Sequence, residues 1–351
     1  MKINDQQLMA KAIAAARNGI THTWTNPVVG AVIVKNNQLL ATGYHHRFGE
    51  MHAEINALSH LQNIEDARDA TMYVTLEPCS HYGKTPPCAK RLVEVGIKRV
   101  VIGQQDPNPQ VSGHGIAILK AANIDVTVLN ITDDLNVAYN FFYRHKRPLV
   151  TLKYAMSIDG KLNDGSGKRT LLTGKPAYHD SQNLRLHQQA ILIGETTLAV
   201  DDPQLTVRET TPDFPPIRIV LVNRADDLDF SSALFQTTTP IWLLTRHSTV
   251  RQDWPATVKV FVDAHWKPET IMEFLYQKGV QSLLVEGGAH IQATFSAADL
   301  ADRLIVYVSP LLLGGNGLPA VSGSGRTQPL AYRVTATTAL GKDTRFDLRR
   351  Q

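Results

Sequence analysis

The sequence contains very little cysteine. Cys79 and Cys88 are the only two among 351 residues, so a disulfide framework cannot hold this chain together. A site that needs two thiolates would use both of them. No segment is apolar enough to cross a bilayer, and the mixed polar and apolar residues 1–17 do not resemble an export signal. We therefore expect a cytoplasmic protein with no membrane partner.

Long runs of one charge are also missing. The 36 basic and 32 acidic residues are interspersed and give a net charge of +4, so nucleic acid is not indicated as a partner. The second half has neither a G-x-G-x-x-G motif after its first predicted strand nor a P-loop, which removes the two common nucleotide fingerprints. A chain of this length exceeds what one core usually organises, so we predict two domains.

The two cysteines belong to the most informative pattern in the chain. His52, Cys79 and Cys88 would supply three of the four tetrahedral positions that Zn²⁺ prefers and leave the fourth to a water. Glu54, two residues after the histidine, is then the expected carrier of a proton from that water to a leaving amine. The pattern predicts hydrolytic deamination of a heterocycle.

Two other interpretations of this pattern remain open. Unpaired cysteines are often inert core residues, although the surrounding Pro-, Gly- and Ser-rich loop makes apolar packing an improbable purpose. A structural zinc would need a fourth protein ligand, and His45, His46 and His81 are near enough in sequence to supply it. Spacing does not decide between a catalytic and a structural metal.

Hydrophobic periodicity predicts a layered α/β domain in the first half. Helices are predicted at residues 5–17, from about 52, at 88–95, 115–122 and 135–145, and strands at 28–35, 38–43, 71–75, 100–103 and 126–129. Asn36 and Asn37 join the first two strands, since asparagine tolerates the positive φ of a tight hairpin. His52 and Cys88 fall at predicted helix starts, where the helix dipole favours thiolate.

The second half alternates strands with helices, which predicts a mainly parallel sheet. Strands are predicted at residues 150–155, 190–193, 217–222, 241–244, 282–286 and 304–308, and helices at 177–186, 268–277 and 289–297. Gly287 and Gly288 lie between a strand and a helix, where they form either an ordinary tight turn or a pyrophosphate cradle. The break at Arg147-Pro148 separates the predicted domains, residues 1–147 and 148–351.

Residues 77–88 indicate which family of zinc deaminases the chain resembles. Eight residues separate the cysteines, where cytidine deaminases have two, and the segment resembles the bifunctional deaminase/reductase family of riboflavin biosynthesis. Residues 26–30, 43–45 and 106–109 fit the same family. The resemblance implies a cytidine-deaminase-like three-layer domain that binds Zn²⁺ and uses Asn26 for its substrate. That substrate would be 2,5-diamino-6-(5-phosphoribosylamino)pyrimidin-4(3H)-one, which loses its ring C2 amine.

Residues 153–160, 201–208 and 309–315 resemble the reductase half of that family, which implies a dihydrofolate-reductase-like fold and NADPH-dependent reduction of the ribosyl group to a ribityl chain. The implied NADPH contacts are Ala155, Thr197, Asp201, Gly288, Ala289, His290, Ile291, Gln292, Ala293 and Thr294. The implied substrate contacts are Lys153, Arg169, Arg185, Leu205, Arg208 and Glu286. By the same resemblance we expect a homo-oligomer.

Residues 167–173 depart from the family pattern. Arg169 replaces a substrate-contacting serine, and Leu171 replaces an aromatic cofactor contact. Because a lost aromatic platform weakens binding and an arginine can meet a phosphate, we expect reduction to persist with altered NADPH affinity. The alternative is a deaminase whose second domain has lost reduction and serves substrate binding or oligomerisation. A third hypothesis, a non-enzymatic zinc-stapled binding protein, predicts four protein ligands.

Overall fold

A computed structural model of the protein describes residues 4–80, 86–132, 134–323 and 328–351. The chain forms two compact units, Met1–Lys146 and Arg147–Gln351. Both units contain a sheet covered by helices, so the predicted α/β class is confirmed. None of the helices in the described part of the chain is both long and apolar enough to span a membrane.

The first unit has a five-stranded sheet in the order β2-β1-β3-β4-β5. Its strands are β1 (Gly30–Lys35), β2 (Gln38–Tyr44), β3 (Thr71–Val74), β4 (Arg99–Ile102) and β5 (Asp125–Val128). Its helices are α1 (Asp5–Ala16), α2 (Ala53–Ser59), α3 (Cys88–Glu94), α4 (His114–Ala121) and α5 (Val137–His145). β1 pairs antiparallel with β2 and β3, while β3, β4 and β5 run parallel. The φ angles of Asn36 and Asn37 are 52° and 61°, as the hairpin prediction requires.

The alternation along β1 divides the apolar side chains of this unit between two cores. Ile33 packs with Ala53 and Ala57 of α2 and with residues of α3 and α4. Val32 and Val34, the residues on either side of Ile33, point to the opposite face and pack against α1. Successive strand residues point to opposite faces, so a strand that is apolar throughout needs helices on both sides. The result is a three-layer α/β/α unit.

The second unit has a nine-stranded sheet in the order β10-β9-β8-β7-β11-β6-β12-β14-β13. Its strands are β6 (Leu149–Ser157), β7 (Ala190–Gly194), β8 (Ile217–Val222), β9 (Ile241–Thr245), β10 (Val258–Val262), β11 (Ser282–Val285), β12 (Arg303–Ser309), β13 (Tyr332–Leu340) and β14 (Asp343–Arg350). Its helices are α6 (Lys175–Leu186), α7 (Glu195–Asp201), α8 (Pro268–Gln277) and α9 (Ala289–Ala297). The neighbours from β10 to β12 run parallel, and β14 and β13 complete the sheet antiparallel.

Four elements of this unit were not predicted. α7 and β10 are short, and the β13–β14 ribbon carries many polar, exposed residues, so its sequence lacks the apolar alternation by which a strand is recognised. The strands of the parallel part other than β10 were predicted from the sequence. Because β6, β7, β8, β9 and β11 all run in one direction, the residues that follow them meet at one edge of the sheet.

Candidate active sites

The predicted metal ligands of the first unit come together in the structure. His52 is the residue that caps α2, Cys88 begins α3, and Cys79 lies in the loop that follows β3. The Nδ1 atom of His52 is 3.6 Å from Sγ of Cys79 and 3.4 Å from Sγ of Cys88. All three ligand atoms lie within 4.8 Å of one another. Residues far apart in sequence thus form one compact cluster.

These distances fit zinc. Bonds of about 2.0–2.1 Å to nitrogen and about 2.3 Å to sulfur, at a tetrahedral angle, place the two ligand atoms about 3.6 Å apart. Both measured nitrogen–sulfur distances are close to this value. One nitrogen and two thiolates are also ligands that Zn²⁺ prefers. The cluster therefore fits a zinc ion, and no fourth side chain with a metal-binding atom joins it among the described residues.

Two glycines permit the close packing that assembles this cluster. A Cβ on Gly43 of β2 would lie 2.3 Å from the backbone nitrogen of Ala57, so glycine lets α2 rest directly on the strand. A Cβ on Gly115 would lie 2.0 Å from the carbonyl oxygen of Pro78, beside Cys79. Since real Cβ atoms do not approach so closely, a larger residue at either position would displace an element that carries a ligand.

Glu54 is placed for proton transfer. It lies in the first turn of α2, two residues from the metal ligand His52, and its side chain is only 3% exposed. Burial raises the pKa of Glu54 to about 7, and the charge of a divalent cation at the three ligands would oppose that rise. The first-turn placement brings Glu54 to the ligand cluster, whereas mid-helix residues two apart would diverge.

Among the described residues, the two histidines considered as a fourth ligand, His45 and His46, make other contacts. His45 is buried, its Nδ1 lies 3.0 Å from the carbonyl oxygen of Met51, and its Nε2 lies 3.2 Å from Nδ2 of Asn26. Because the Met51 carbonyl only accepts, Nδ1 donates and Nε2 accepts from Asn26. His46 stacks on Tyr44. His81 lies outside the described residues.

The sequence offered His45 only as a possible fourth zinc ligand, and the structure gives it a different contact. Its ring lies 5.5 Å from the ring of His52, and its hydrogen bond orients Asn26, the residue implied to contact the substrate. The signal was present in the sequence, because residues 43–45 belong to the pattern that resembles the family, but the pattern alone did not specify a contact between His45 and Asn26.

The second unit contains a buried ion pair in its candidate site. Nε and Nη2 of Arg185 donate to the two carboxylate oxygens of Glu286 at 3.1 and 2.6 Å, and Nη1 donates to the carbonyl oxygen of Thr206 at 3.2 Å. Three of the five guanidinium donors are thus used within the protein. Arg185 therefore positions Glu286 and the Thr206 loop, which leaves it less free to hold a substrate phosphate than the sequence suggested.

Lys153 of β6 lies beside this pair. Burial lowers the pKa of Lys153, and the charge of Glu286 opposes that effect. Its ammonium nitrogen is 5.4 Å from the centre of the Tyr307 ring. Burial also opposes ionisation of Glu286, but the positive charges of Arg185 and Lys153 hold the pKa of Glu286 at about 2. The cluster thus presents an ionised carboxylate beside an amine with free donors.

A cavity of about 890 Å³ extends from this cluster along the carboxyl edge of the sheet. Most residues implied to contact cofactor or substrate line it: Lys153, Ala155, Arg169, Arg185, Thr197, Asp201, Leu205, Glu286, Gly288, Ala289, His290, Ile291 and Thr294. Three do not line it. Gln292 is fully buried and donates through Nε2 to the carbonyl oxygens of Lys153 and Gly287, and Ala293 lies beside it in α9. Arg208 points its guanidinium at Tyr178 instead.

The cavity fits a dinucleotide. Its volume is within the range usual for ligand sites, and it lies along the ends of parallel strands, where nucleotides bind in open α/β sheets. Gly287 and Gly288 line the cavity before α9, as a pyrophosphate cradle would require, although the amide of Gly288 already donates to Oγ1 of Thr197 at 3.2 Å.

The two departures from the family pattern have different surroundings. Arg169 lines the cavity, where its charge opposes the rise that burial causes in the pKa of Asp201. Leu171 is 76% exposed and lies outside the cavity lining. Arg169 is therefore available to an anionic ligand, while Leu171 offers no packing surface to one.

Glu286→Gln should lower the free energy of unfolding by about 3 kcal/mol near neutral pH, because Arg185 would stay buried without its charge partner. The depressed pKa of Glu286, about 2 against 4.5 for an unperturbed glutamate, stabilises the fold above pH 4.5. That contribution is lost as the pH falls toward 2. Urea unfolding of the full chain at about pH 7 and about pH 3.5 should show the wild-type advantage shrinking in acid.

Glu273→Gln is the matched control, because Glu273 is exposed on α8. It should change the unfolding free energy by less than about 0.5 kcal/mol at either pH. A Glu286→Gln deficit that is equal at both pH values would contradict the ionised state assigned to Glu286.

Family models match both units. Residues 148–346 match the model described as the RibD C-terminal domain, and residues 2–104 match that of the cytidine and deoxycytidylate deaminase zinc-binding region. The riboflavin biosynthesis protein RibD of Bacillus amyloliquefaciens is 39% identical over 332 residues, which cover 92% of this chain and 89% of that protein. The RibD protein of Escherichia coli K12 is 37% identical over 335 residues, 90% of each chain.

Solved structures agree with these matches. A structure of Acinetobacter baumannii RibD superposes with a TM-score of 0.91 at 34% identity and covers 99% of both chains. The Thermotoga maritima diaminohydroxyphosphoribosylaminopyrimidine deaminase/5-amino-6-(5-phosphoribosylamino)uracil reductase superposes with a TM-score of 0.87 at 32% identity, again over 99% of both chains.

Proposed function

The chain belongs to the RibD family of riboflavin biosynthesis proteins, and from that premise we propose that residues 1–146 carry out its deamination and residues 147–351 its reduction. The protein is a bifunctional enzyme with a zinc-binding deaminase domain and an NADPH-dependent reductase domain. Its substrate is the diaminohydroxyphosphoribosylaminopyrimidine, which it deaminates and then reduces from a ribosyl to a ribityl compound.

In the deaminase half, His52, Cys79 and Cys88 would hold the zinc, which would supply the Lewis acidity that makes a water nucleophilic near neutral pH. Glu54 accepts a proton from the attacking water and returns it to the departing amine. Asn26, oriented by His45, donates a hydrogen bond to the pyrimidine. Burial of Glu54 keeps bulk water from competing for its proton.

In the reductase half, the cavity would hold NADPH, which would supply the hydride for conversion of the ribosyl group to a ribityl chain. Arg185 keeps Glu286 ionised and fixed at the cavity wall, where the carboxylate can accept from substrate hydroxyls. Lys153 presents its ammonium group beside Glu286 and donates to the polar atoms of the reacting sugar. Arg169 is placed to meet a phosphate. This arrangement serves mainly to orient the acceptor carbon against the cofactor.

The observation that carries this proposal is that one chain contains the His52, Cys79 and Cys88 cluster with Glu54 and, in its other unit, a cavity along parallel strand ends. The test is NADPH oxidation by purified protein given the diaminopyrimidine ribosyl phosphate, with the products resolved by chromatography. We expect NADPH consumption together with ribityl product. This result would show that both reactions proceed and that Arg169 and Leu171 are tolerated.

Accumulated aminouracil with unconsumed NADPH would instead favour a deaminase whose second unit has lost reduction. A direct NADPH titration distinguishes a slow reductase from a lost one. Absence of NADPH binding at millimolar concentration, in a chain whose second unit is folded, would contradict the expectation that reduction persists with altered cofactor affinity.

The compartment and assembly are also proposals. We place the enzyme in the cytoplasm, because zinc needs Cys79 and Cys88 as thiolates, and a reducing compartment keeps them so. We propose a homo-oligomer on the family resemblance alone, and light scattering of the purified chain would measure its mass.

A further inference from the structure

The far end of the reductase cavity contains two cations with no function assigned so far. Arg246 directly follows β9, and Lys267 directly precedes α8. Both side chains are exposed and line the cavity. Neither forms an ion pair with a carboxylate among the residues that the structure describes. Cations that line a cavity without a charge partner are available to an anionic ligand.

A buried hydrogen bond holds these two residues near each other. Nε1 of Trp266 donates to the carbonyl oxygen of Thr245 at 3.1 Å. Trp266 immediately precedes Lys267, and Thr245 immediately precedes Arg246, so the bond ties the two backbone segments together where the cations emerge. Trp266 is buried in the core of this unit and gives the pair a rigid support.

The order of the strands in the sheet determines which part of a bound dinucleotide would reach Arg246 and Lys267. The substrate cluster of Lys153 and Glu286 belongs to β6 and to the end of β11, and the order from there is β6-β11-β7-β8-β9. Four strand spacings of about 4.8 Å place roughly 19 Å between β6 and β9. A cofactor whose reactive ring lies at the substrate cluster and whose pyrophosphate lies near Gly288 therefore extends its adenosine toward β8 and β9.

One carboxylate also lies at this end of the cavity. Oε2 of Glu195 accepts from the backbone amide of Asn223, the residue that follows β8, at 2.7 Å. A carboxylate there can accept from a ribose hydroxyl, as in sites that bind NADH. Arg246 and Lys267 leave this end with a net positive charge, which favours a ribose that carries a phosphate.

We propose that Arg246 and Lys267 bind the adenosine 2′-phosphate of NADPH and thereby select NADPH over NADH. The proposal rests on the proposed reductase function and extends it to cofactor choice. The sequence alone does not single out these two residues, because residues 246 and 267 belong to no motif and are brought together by the Thr245–Trp266 contact.

The test is isothermal titration of the full-length zinc-loaded protein with NADPH and with NADH. Arg246→Gln and Lys267→Gln should each weaken NADPH binding by about 10-fold, and the double variant by about 100-fold, because each removes a charge-assisted bond to the phosphate. The Kd for NADH should change by less than about twofold in the same variants. Higher salt should weaken NADPH binding in the wild type more than in the double variant.

Lys259→Gln is the matched control, since Lys259 is an exposed cation on β10 that does not line the cavity. It should leave both affinities unchanged. Deaminase activity and the melting temperature of each variant report whether the chain is folded. Wild-type affinity for NADPH in the double variant would overturn the assignment, as would an equal loss for NADPH and NADH. A wild-type chain that binds neither dinucleotide would overturn the reductase function itself.

Discussion

Glu54→Gln should reduce the deamination rate by at least about 100-fold, up to about 10,000-fold, while the protein keeps its zinc. Glutamine has nearly the same volume and stays buried in the first turn of α2, but it cannot accept and return the proton. The metal ligands His52, Cys79 and Cys88 are unchanged. The measurement is the rate of aminouracil formation together with the zinc content by metal analysis.

Two controls make this result specific. Glu94→Gln removes an exposed carboxylate from α3 and should leave deamination unchanged. NADPH oxidation by Glu54→Gln, supplied with the deaminated intermediate, should proceed at the wild-type rate, because the reductase residues lie in the other unit. If Glu54→Gln deaminates at the wild-type rate, another group carries the proton and the assignment of Glu54 is wrong.

Cys88→Ser should lower zinc affinity by at least about 100-fold and abolish deamination. A serine hydroxyl is not ionised near neutral pH and is a poor replacement for a thiolate ligand. The backbone amide of Cys88, the first residue of α3, donates to Sγ of Cys79, and because serine keeps that amide the loss would report the missing thiolate itself. Metal analysis and a chelator competition assay would measure the loss.

The first unit should also melt at a lower temperature in Cys88→Ser, because metal binding stabilises the fold that forms the site. Cys79→Ser should behave in the same way, while Ser80→Ala, a change in the same loop, should retain zinc. NADPH binding should survive in all three variants. Equal zinc content in the wild type and both cysteine variants would contradict the ligand set.

Most strands of the parallel part of the second sheet could be predicted, because each is a short run of mainly apolar residues. The strand near residues 190–193 is apolar throughout and the strand near residues 217–222 is apolar except for Arg218, and the structure places both within one residue of prediction. The ribbon of β13 and β14 has no such pattern. Its residues are mostly exposed, and its strands are stabilised by pairing with each other and with β12, which local sequence does not reveal.

The sequence by itself predicted the grouping of His52, Cys79 and Cys88 and suggested Glu54 as the proton carrier, because a chain with two cysteines offers few alternatives and because the spacing of residues 77–88 is characteristic of one family. The dinucleotide cavity was determined only by the tertiary structure. Arg185 meets Glu286 across 101 residues, and Trp266 brings Lys267 to Arg246 from a different segment. Such contacts depend on the order of parallel strands, and that order is a property of the packed sheet and not of any local stretch of the chain.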